Sequence, residues 1–501
     1  MSEGQVPGQL APGWVDPGQM AQAWVDPRTG SSQQPPMADS DSSEVADAVA
    51  AAHTAWLAWR SLSHEHRAMA LSAIADALDD DAGPLAALGD AETALGVPRL
   101  TGEVARTTFQ LRMFGSALRA GAILGQQVDD AVAGPPPAGR PHLVRTRLPL
   151  GVVAVFGASN FPLAFGVLGG DTASALAAGC AVVVKEHPAH PRLSAHLVAL
   201  ARSALVRVGA PADVLTSVRG IAAGAALVAA EQVRAVGFTG STAGGRALFD
   251  LAMSRPDPIP FYGELGSVNP VIVTPAAAAA RGEEIGTGFV ESLTLGAGQF
   301  CTKPALLGYP RPSTSLVAAA IAALTAVPAV PLLTPAIAER FTRRVAQLAE
   351  VGTLLAGGGA VDQPGAWVRP ALVGMSAETY LNGPALVREE CFGPAALLVS
   401  CSDADQALAL ASSGPGVLVS CLHTVDDDAV APGLAAALAY RSGRVVINGW
   451  PTGVAVSPVQ MHGGPYPAST RAQDTSVGLA AVDRFTRPVV WQSAPASLIL
   501  T

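Results

Sequence analysis

Gly151-Val-Val-Ala-Val-Phe-Gly-Ala-Ser-Asn160 opens with five consecutive apolar residues, three of them valine, then meets a glycine and turns polar. A run this short and this rich in β-branched residues reads as a strand buried on both faces. Outward from it the pattern repeats. A helix is predicted from about 163 to 178, a strand over 181–185, a helix from about 192 to 208 and a strand over 214–218. A further helix near 220–231 leads to a strand at 235–238, and Thr239-Gly-Ser-Thr242 opens a helix reaching about 254. Alternation of this kind is βαβ logic and implies a parallel sheet covered by helices. Short strands at 259–263 and 269–274 follow.

Upstream, apolar spacing predicts helices at about 44–60, 64–81 and 99–120. Residues 1–42, rich in Gly, Pro, Gln, Ser and Asp, predict an extended or mobile arm, with a short echo of Gly13-Trp-Val-Asp-Pro17 in Ala23-Trp-Val-Asp-Pro27. Gly134-Pro-Pro-Pro-Ala-Gly139 is a firm break, and the alternation at 143–147 suggests a ribbon leaving one domain. Downstream, helices at about 314–325, 335–350 and 403–412, with strands near 368–373, 395–400, 416–422 and 444–448, fit a second α/β domain. The tail 480–492 alternates apolar residues with Arg484 and Arg487, and suits an edge strand pairing with that ribbon or with another subunit.

At 501 residues the chain exceeds what one core usually serves. Half of it is hydrophobic, but 52 glycines and 40 prolines punctuate the apolar share, and no uninterrupted run of about 20 residues is suited to a bilayer. The net charge of -9 argues against a broad nucleic-acid surface, which needs clustered Lys and Arg. Five widely spaced cysteines with no C-x-x-C pair favour a reducing compartment, and no basic-then-apolar leader opens the chain, so cytoplasmic residence is expected. His187, His190 and His196 suggest a metal at first sight, but Pro188 and Pro191 break any helix that would align them, and no metal site is expected.

Chemistry is suggested by Gly296-Ala-Gly-Gln-Phe-Cys301, which delivers one cysteine between glycines and polar neighbours after an apolar helical run. Alone it reads more readily as a packed cysteine. Four further stretches share its order along the chain: Phe156-Gly-Ala-Ser-Asn-Phe-Pro162, Phe238-Thr-Gly-Ser241, Glu264-Leu-Gly-Ser-Val-Asn-Pro270 and Glu389-Glu-Cys-Phe-Gly-Pro394. Together they resemble the aldehyde dehydrogenase superfamily from about residue 44 to the C-terminus. Phe156 to Phe165, Lys185 with His187-Pro-Ala-His-Pro191, and Pro451-Thr-Gly453 with His462-Gly-Gly-Pro-Tyr-Pro467 are similar to its 2-oxoglutarate semialdehyde dehydrogenase branch.

That resemblance implies an α/β fold with a Rossmann-type cofactor domain (43–127 and 151–262), an α/β catalytic domain (263–455) and β-ribbon oligomerisation elements (128–150 and 480–501). It also implies oxidation of an aldehyde with NADP or NAD by a homodimer or homotetramer. Cys301 would be the nucleophile, Asn160 an oxyanion donor and Glu264 the general base that hydrolyses a thioester. Gly240 and Ser241 would face a pyrophosphate at a helix N-terminus, without the usual G-x-G-x-x-G spacing. Lys185 would contact the adenosine ribose, and Glu390 and Phe392 the nicotinamide half. Pro188 stands where NAD-preferring members carry a glutamate, which predicts that NADP is accepted at least as well as NAD. Arg112, Phe165 and Trp450 are the expected substrate residues, Arg112 for a substrate carboxylate. Oxidation of another semialdehyde or an aliphatic aldehyde, transfer of the acyl group to coenzyme A, and a catalytically silent member of the fold remain as alternatives. Residues 1–42 and the proline-broken segment 308–330 depart from the family pattern.

Overall fold

The computed structural model describes residues 24–32 and 37–500. Five parallel strands form the first sheet in the order Leu215–Val218, Ala181–Lys185, Val152–Phe156, Val233–Thr239, Phe261–Glu264. Val152–Phe156 is buried along its whole length, which is why it reads as a continuous apolar run. Strand order reverses beside it. A crevice therefore opens outside the carboxyl ends of Val152–Phe156 and Val233–Thr239, and Gly157–Asn160 and Gly240–Ser241 emerge into it side by side.

Helices Ser42–Trp59, His64–Asp80 and Val97–Arg119 pack with this sheet into one hydrophobic core, the first closed by a capping box between Asp41 and Glu44. Two expectations change here. An extra helix spans Ala82–Thr93, hidden in the sequence by Gly83, Pro84 and Gly89. The helix expected over 163–178 covers only Gly170–Ala178. Before it the chain doubles back so tightly that a Cβ at Gly166 would lie 1.8 Å from the Pro162 carbonyl oxygen, and one at Gly169 2.6 Å from that of Ala164.

The second sheet has seven strands in the order Thr353–Gly357, Ala371–Ser376, Ala395–Cys401, Pro304–Pro310, Asn269–Val273, Val417–His423, Ser442–Ile447. All pairings are parallel except that of the edge strand Thr353–Gly357. Within the stretch set apart as a departure, Pro304–Pro310 is a central strand and Thr314–Thr325 a regular helix. A third, antiparallel sheet joins Gln127–Asp129, Leu143–Pro149 and Thr486–Gln492, so the tail does pair with the ribbon before Gly151. Its strand begins only at Thr486. Arg484 lies in the preceding 3-10 turn, buried, with its guanidinium 2.7 Å from Asp171.

Of the expected arm, residues 24–32 are docked rather than mobile. Trp24 is buried and donates from Nε1 to the Glu92 carbonyl, and Arg28 pairs with Asp90 at 2.7 Å. On its other side Pro27 accepts from the Ala366 amide and Arg28 from Trp367 Nε1. This segment thus ties the helix Ala82–Thr93 to the short strand Trp367–Val368 of the second unit. The first copy of the Trp-Val-Asp-Pro echo lies outside the described residues. Among them, no helix is long and apolar enough to cross a membrane.

Candidate active site

The helix Pro275–Thr294 ends just before three consecutive residues with left-handed backbone: Gly296, Ala297 and Gly298. A Cβ at Gly296 would sit 2.3 Å from the Arg99 guanidinium, and one at Gly298 2.5 Å from the backbone of Gly393 and Pro394, so only glycine fits either place. Ala297 accepts the same conformation at a cost of about 1–2 kcal/mol. Strain of this kind collects where the surroundings over-determine a loop. Here Asn269 donates from Nδ2 to the carbonyls of Cys301 at 2.7 Å and Lys303 at 2.9 Å, while its Oδ1 accepts from Ser267. Asn160 donates from Nδ2 to the Gln299 carbonyl at 2.8 Å, which uses one of its two amide hydrogens. Arg99 binds the Asn160 carbonyl and lies over the rings of Phe161 and Phe300. The crevice loop of the first sheet and the cysteine loop of the second unit are held together by these bonds.

Glu264 ends its strand at the crevice, where its carbonyl accepts from the Gly240 amide at 3.1 Å. Its carboxylate is buried, and Oε2 has no hydrogen-bond partner among the described residues. Burial pushes its pKa well above the usual carboxylate range, with Arg484 opposing and Asp171 adding to the shift. Burial likewise pushes the Cys301 thiol up to about 12, reinforced by Glu264 and Glu390. The Cys301 Sγ lies 3.8 Å from Nε2 of His462, a buried ring that desolvation and then Arg444, Arg106 and Arg484 hold neutral, at about 3. Glu390 is raised to about 7 by burial, and its Oε2 would lie only 2.5 Å from a Cβ at Gly266.

One cavity of about 1310 Å³ joins these groups, running from His187 and Pro188 past Gly240 and Ser241 to Cys301 and Glu264. Its residues fit a dinucleotide. Ser241 caps the helix Thr242–Ser254 by accepting from the Gly244 amide, so that helix starts with its N–H groups at the cavity wall. A Cβ at Gly240 would approach the Phe238 ring to 2.8 Å, so packing against that ring favours glycine at this place in the cavity wall.

The model for the aldehyde dehydrogenase family matches residues 14–487. The chain belongs to that family. Alpha-ketoglutaric semialdehyde dehydrogenase 2 of Azospirillum brasilense is 44% identical over 447 residues, covering 87% of this chain and 85% of that protein. The alpha-ketoglutaric semialdehyde dehydrogenase of Acinetobacter baylyi is 39% identical, covering 91% and 88%. Among solved structures, PnpE in complex with nicotinamide adenine dinucleotide superposes with a TM-score of 0.81 at 27% identity, covering 95% of this chain and 94% of that one. The protein is an NAD(P)-dependent aldehyde dehydrogenase.

Most of the residues read from the sequence meet in this aldehyde dehydrogenase's cavity: Cys301, Glu264, Asn160, Gly240, Ser241, Pro188, Glu390 and Phe392. Lys185 is not on that wall; its neighbours in charge are Asp39 and Glu186, and burial lowers it to about 8. The Glu186 carboxylate is engaged elsewhere, accepting from Ser217 Oγ at 2.6 Å and lying 3.5 Å from Arg219. Arg112 is not brought to the site. Its side chain is 42% exposed and pairs with Asp76 and Asp79, each at 2.6 Å. Trp450 is half-buried, packs on His423 and on Phe289 of the helix Pro275–Thr294, and does not line the cavity. Phe165 does reach the reaction centre indirectly, its ring 5.9 Å from that of His462. Sequence reading passed over His462 and Asn269, although both stand within quoted motifs, because an isolated histidine or asparagine carries no spacing signal. Arg340, Arg343 and Arg344, which also line the cavity, received no role beyond membership of the helix expected over 335–350.

Proposed function

We propose that this aldehyde dehydrogenase oxidises 2-oxoglutarate semialdehyde to 2-oxoglutarate through a covalent acyl group on Cys301. What carries the reading of the chemistry is the convergence of Cys301, Asn160 and Glu264 at one end of the cavity. The substrate is taken from the two relatives at 44% and 39% identity.

Cys301 first releases its thiol proton to solvent; the thiolate then adds to the aldehyde carbonyl, and the oxygen that becomes negative is received by the free Asn160 N–H and the Cys301 backbone N–H. Gly240, Ser241, Glu390 and Phe392 hold the dinucleotide. When bound, its nicotinamide ring supplies the hydride acceptor that takes the thiohemiacetal to a thioester. Glu264 then removes a proton from water, whose oxygen attacks the thioester carbonyl; the carbon–sulfur bond breaks and the thiolate returns. A carboxylate kept for this purpose argues for hydrolysis over transfer to coenzyme A. Residues 43–127 with 151–262 serve the cofactor and 263–455 the chemistry. The ribbon 128–150 and the tail 480–501 join subunits into a homodimer or homotetramer, because Thr486–Gln492 leaves a strand edge that a second chain can extend. A monomer by light scattering at micromolar concentration contradicts the assembly.

Purified protein assayed with 2-oxoglutarate semialdehyde, succinate semialdehyde and neutral aldehydes of similar length tests the reading. The expected order of kcat/KM places the 2-oxo acid first; a preference for the neutral compounds contradicts it.

Cofactor choice follows from Pro188, which is exposed at the cavity and brings no carboxylate to repel a 2'-phosphate, while Glu186, two residues before it, is turned to Ser217 and Arg219. NADP is expected to serve at least as well as NAD. In Pro188→Glu the NADP kcat/KM should fall by roughly tenfold or more with NAD little changed. A wild-type preference for NAD of about a hundredfold, some 2.7 kcal/mol, rules this explanation out.

A further inference from the structure

The helix Val97–Arg119 carries Arg99, Glu103 and Arg106 along one face, since positions seven apart differ by only about 20° around the axis. Glu103 is fully committed: Oε1 to Arg99 at 3.2 Å, Oε2 to the amides of Leu163 and Ala164. Arg106 uses Nη1 on the Val454 carbonyl, but its Nε and Nη2 are buried without any hydrogen-bond partner, and among the described residues no carboxylate lies within ion-pair distance. Two orphaned donors on a buried cation carry a desolvation cost that an arriving anion would relieve.

The place is adjacent to the chemistry. The Arg106 guanidinium lies over the Phe165 ring, 5.6 Å from its centroid; that ring is 5.9 Å from His462; and His462 Nε2 is 3.8 Å from the Cys301 sulfur. Arg444, from the strand Ser442–Ile447, spends Nη2 on the Pro451 carbonyl and is likewise without an ion-pair partner among the described residues. Arg106 and Arg444 both feel charge on Cys301 and both disfavour protonation of His462. Neither arginine lines the cavity itself; the lining residue beside the sulfur is the neutral His462 imidazole, and the region next to it is cationic.

We propose that Arg106, supported by the field of Arg444, is the specificity-determining residue that receives the carboxylate end of a short acidic aldehyde while the opposite end reacts at Cys301. This rests on the substrate reading above and assigns to Arg106 what sequence reasoning gave to Arg112. The orphaned Nε and Nη2 form one edge of the guanidinium fork and suit two parallel bonds to a carboxylate. An uncharged aldehyde leaves them unpaired, which is how a buried polar site rejects the wrong ligand.

The test compares wild type, Arg106→Gln and Arg106→Lys on 2-oxoglutarate semialdehyde and on a neutral aldehyde of similar length. Thermal unfolding and cofactor binding check that each variant is folded. Arg106→Gln should lower kcat/KM for the acidic aldehyde by about a hundredfold, chiefly through KM, and change the neutral one less than about threefold; Arg106→Lys should restore part of the acidic rate. Equal losses on both substrates overturn the role of Arg106, even where wild type prefers the acid. A wild type with no acidic preference overturns the substrate reading itself. Should the variants fail to fold, inhibition of wild type decides: glutarate competing with the aldehyde at least about tenfold better than butyrate supports the subsite, and equal inhibition overturns it.

Discussion

Cys301→Ala is expected to lose aldehyde oxidation by about 10⁴-fold or more while binding NADP with unchanged affinity. The two readouts separate because the sulfur stands at one end of the cavity and the glycine-lined helix start that holds the dinucleotide lies elsewhere on its wall. Alanine leaves the loop's anchors in place: it is fixed by bonds from Asn269 and Asn160 to backbone carbonyls, none of which uses the Cys301 side chain. Residual turnover above about 1% of wild type, with the variant free of wild-type carry-over, removes Cys301 from the covalent step.

Glu264→Gln is expected to fail later in the cycle. Acylation and the first equivalent of reduced cofactor should survive, seen as a burst close to one per active site, followed by a steady rate lowered by about 10²–10⁴-fold. The pH dependence follows from its surroundings. Burial raises the Glu264 pKa well above the ordinary carboxylate range, so its ionisation is moved to higher pH, and the protonated carboxyl cannot take a proton from water. Steady turnover in wild type should therefore rise with pH as the carboxyl ionises, and that rise should be absent from the slow phase of Glu264→Gln. An unchanged steady rate, or a burst lost along with it, removes Glu264 as the hydrolytic base.

Much of this was legible from sequence because the first sheet is buried on both faces. Strands such as Val152–Phe156 and Ala181–Lys185 announce themselves as short valine-rich runs, and the loops at their carboxyl ends carry the residues that meet in the cavity. Where reading went astray, a local signal was outweighed by packing. Gly83 and Gly89 look like helix breakers, yet Ala82–Thr93 is helical, with Leu85 and Ala86 buried in the core. Arg112 and Arg106 are both arginines on one helix, but six positions turn the side chain by about 120°. One faces Asp76 and Asp79, the other Phe165. Periodicity alone identifies the buried face without saying which part of it fronts the nucleophile. The docking of Trp24 against Glu92 had no signal of its own, because it depends on a helix the sequence did not reveal.

The covalent acyl group on Cys301 is reached directly by one measurement. Glu264→Gln protein is mixed with 2-oxoglutarate semialdehyde and NADP, quenched in acid during the burst and analysed by mass spectrometry of the intact chain and its peptides. The account predicts an added acyl mass on the peptide containing Cys301, absent when NADP is left out under the same acid quench and absent from a Cys301→Ala, Glu264→Gln double variant. An adduct on another residue, or a full burst of reduced cofactor with no adduct on the chain, contradicts it.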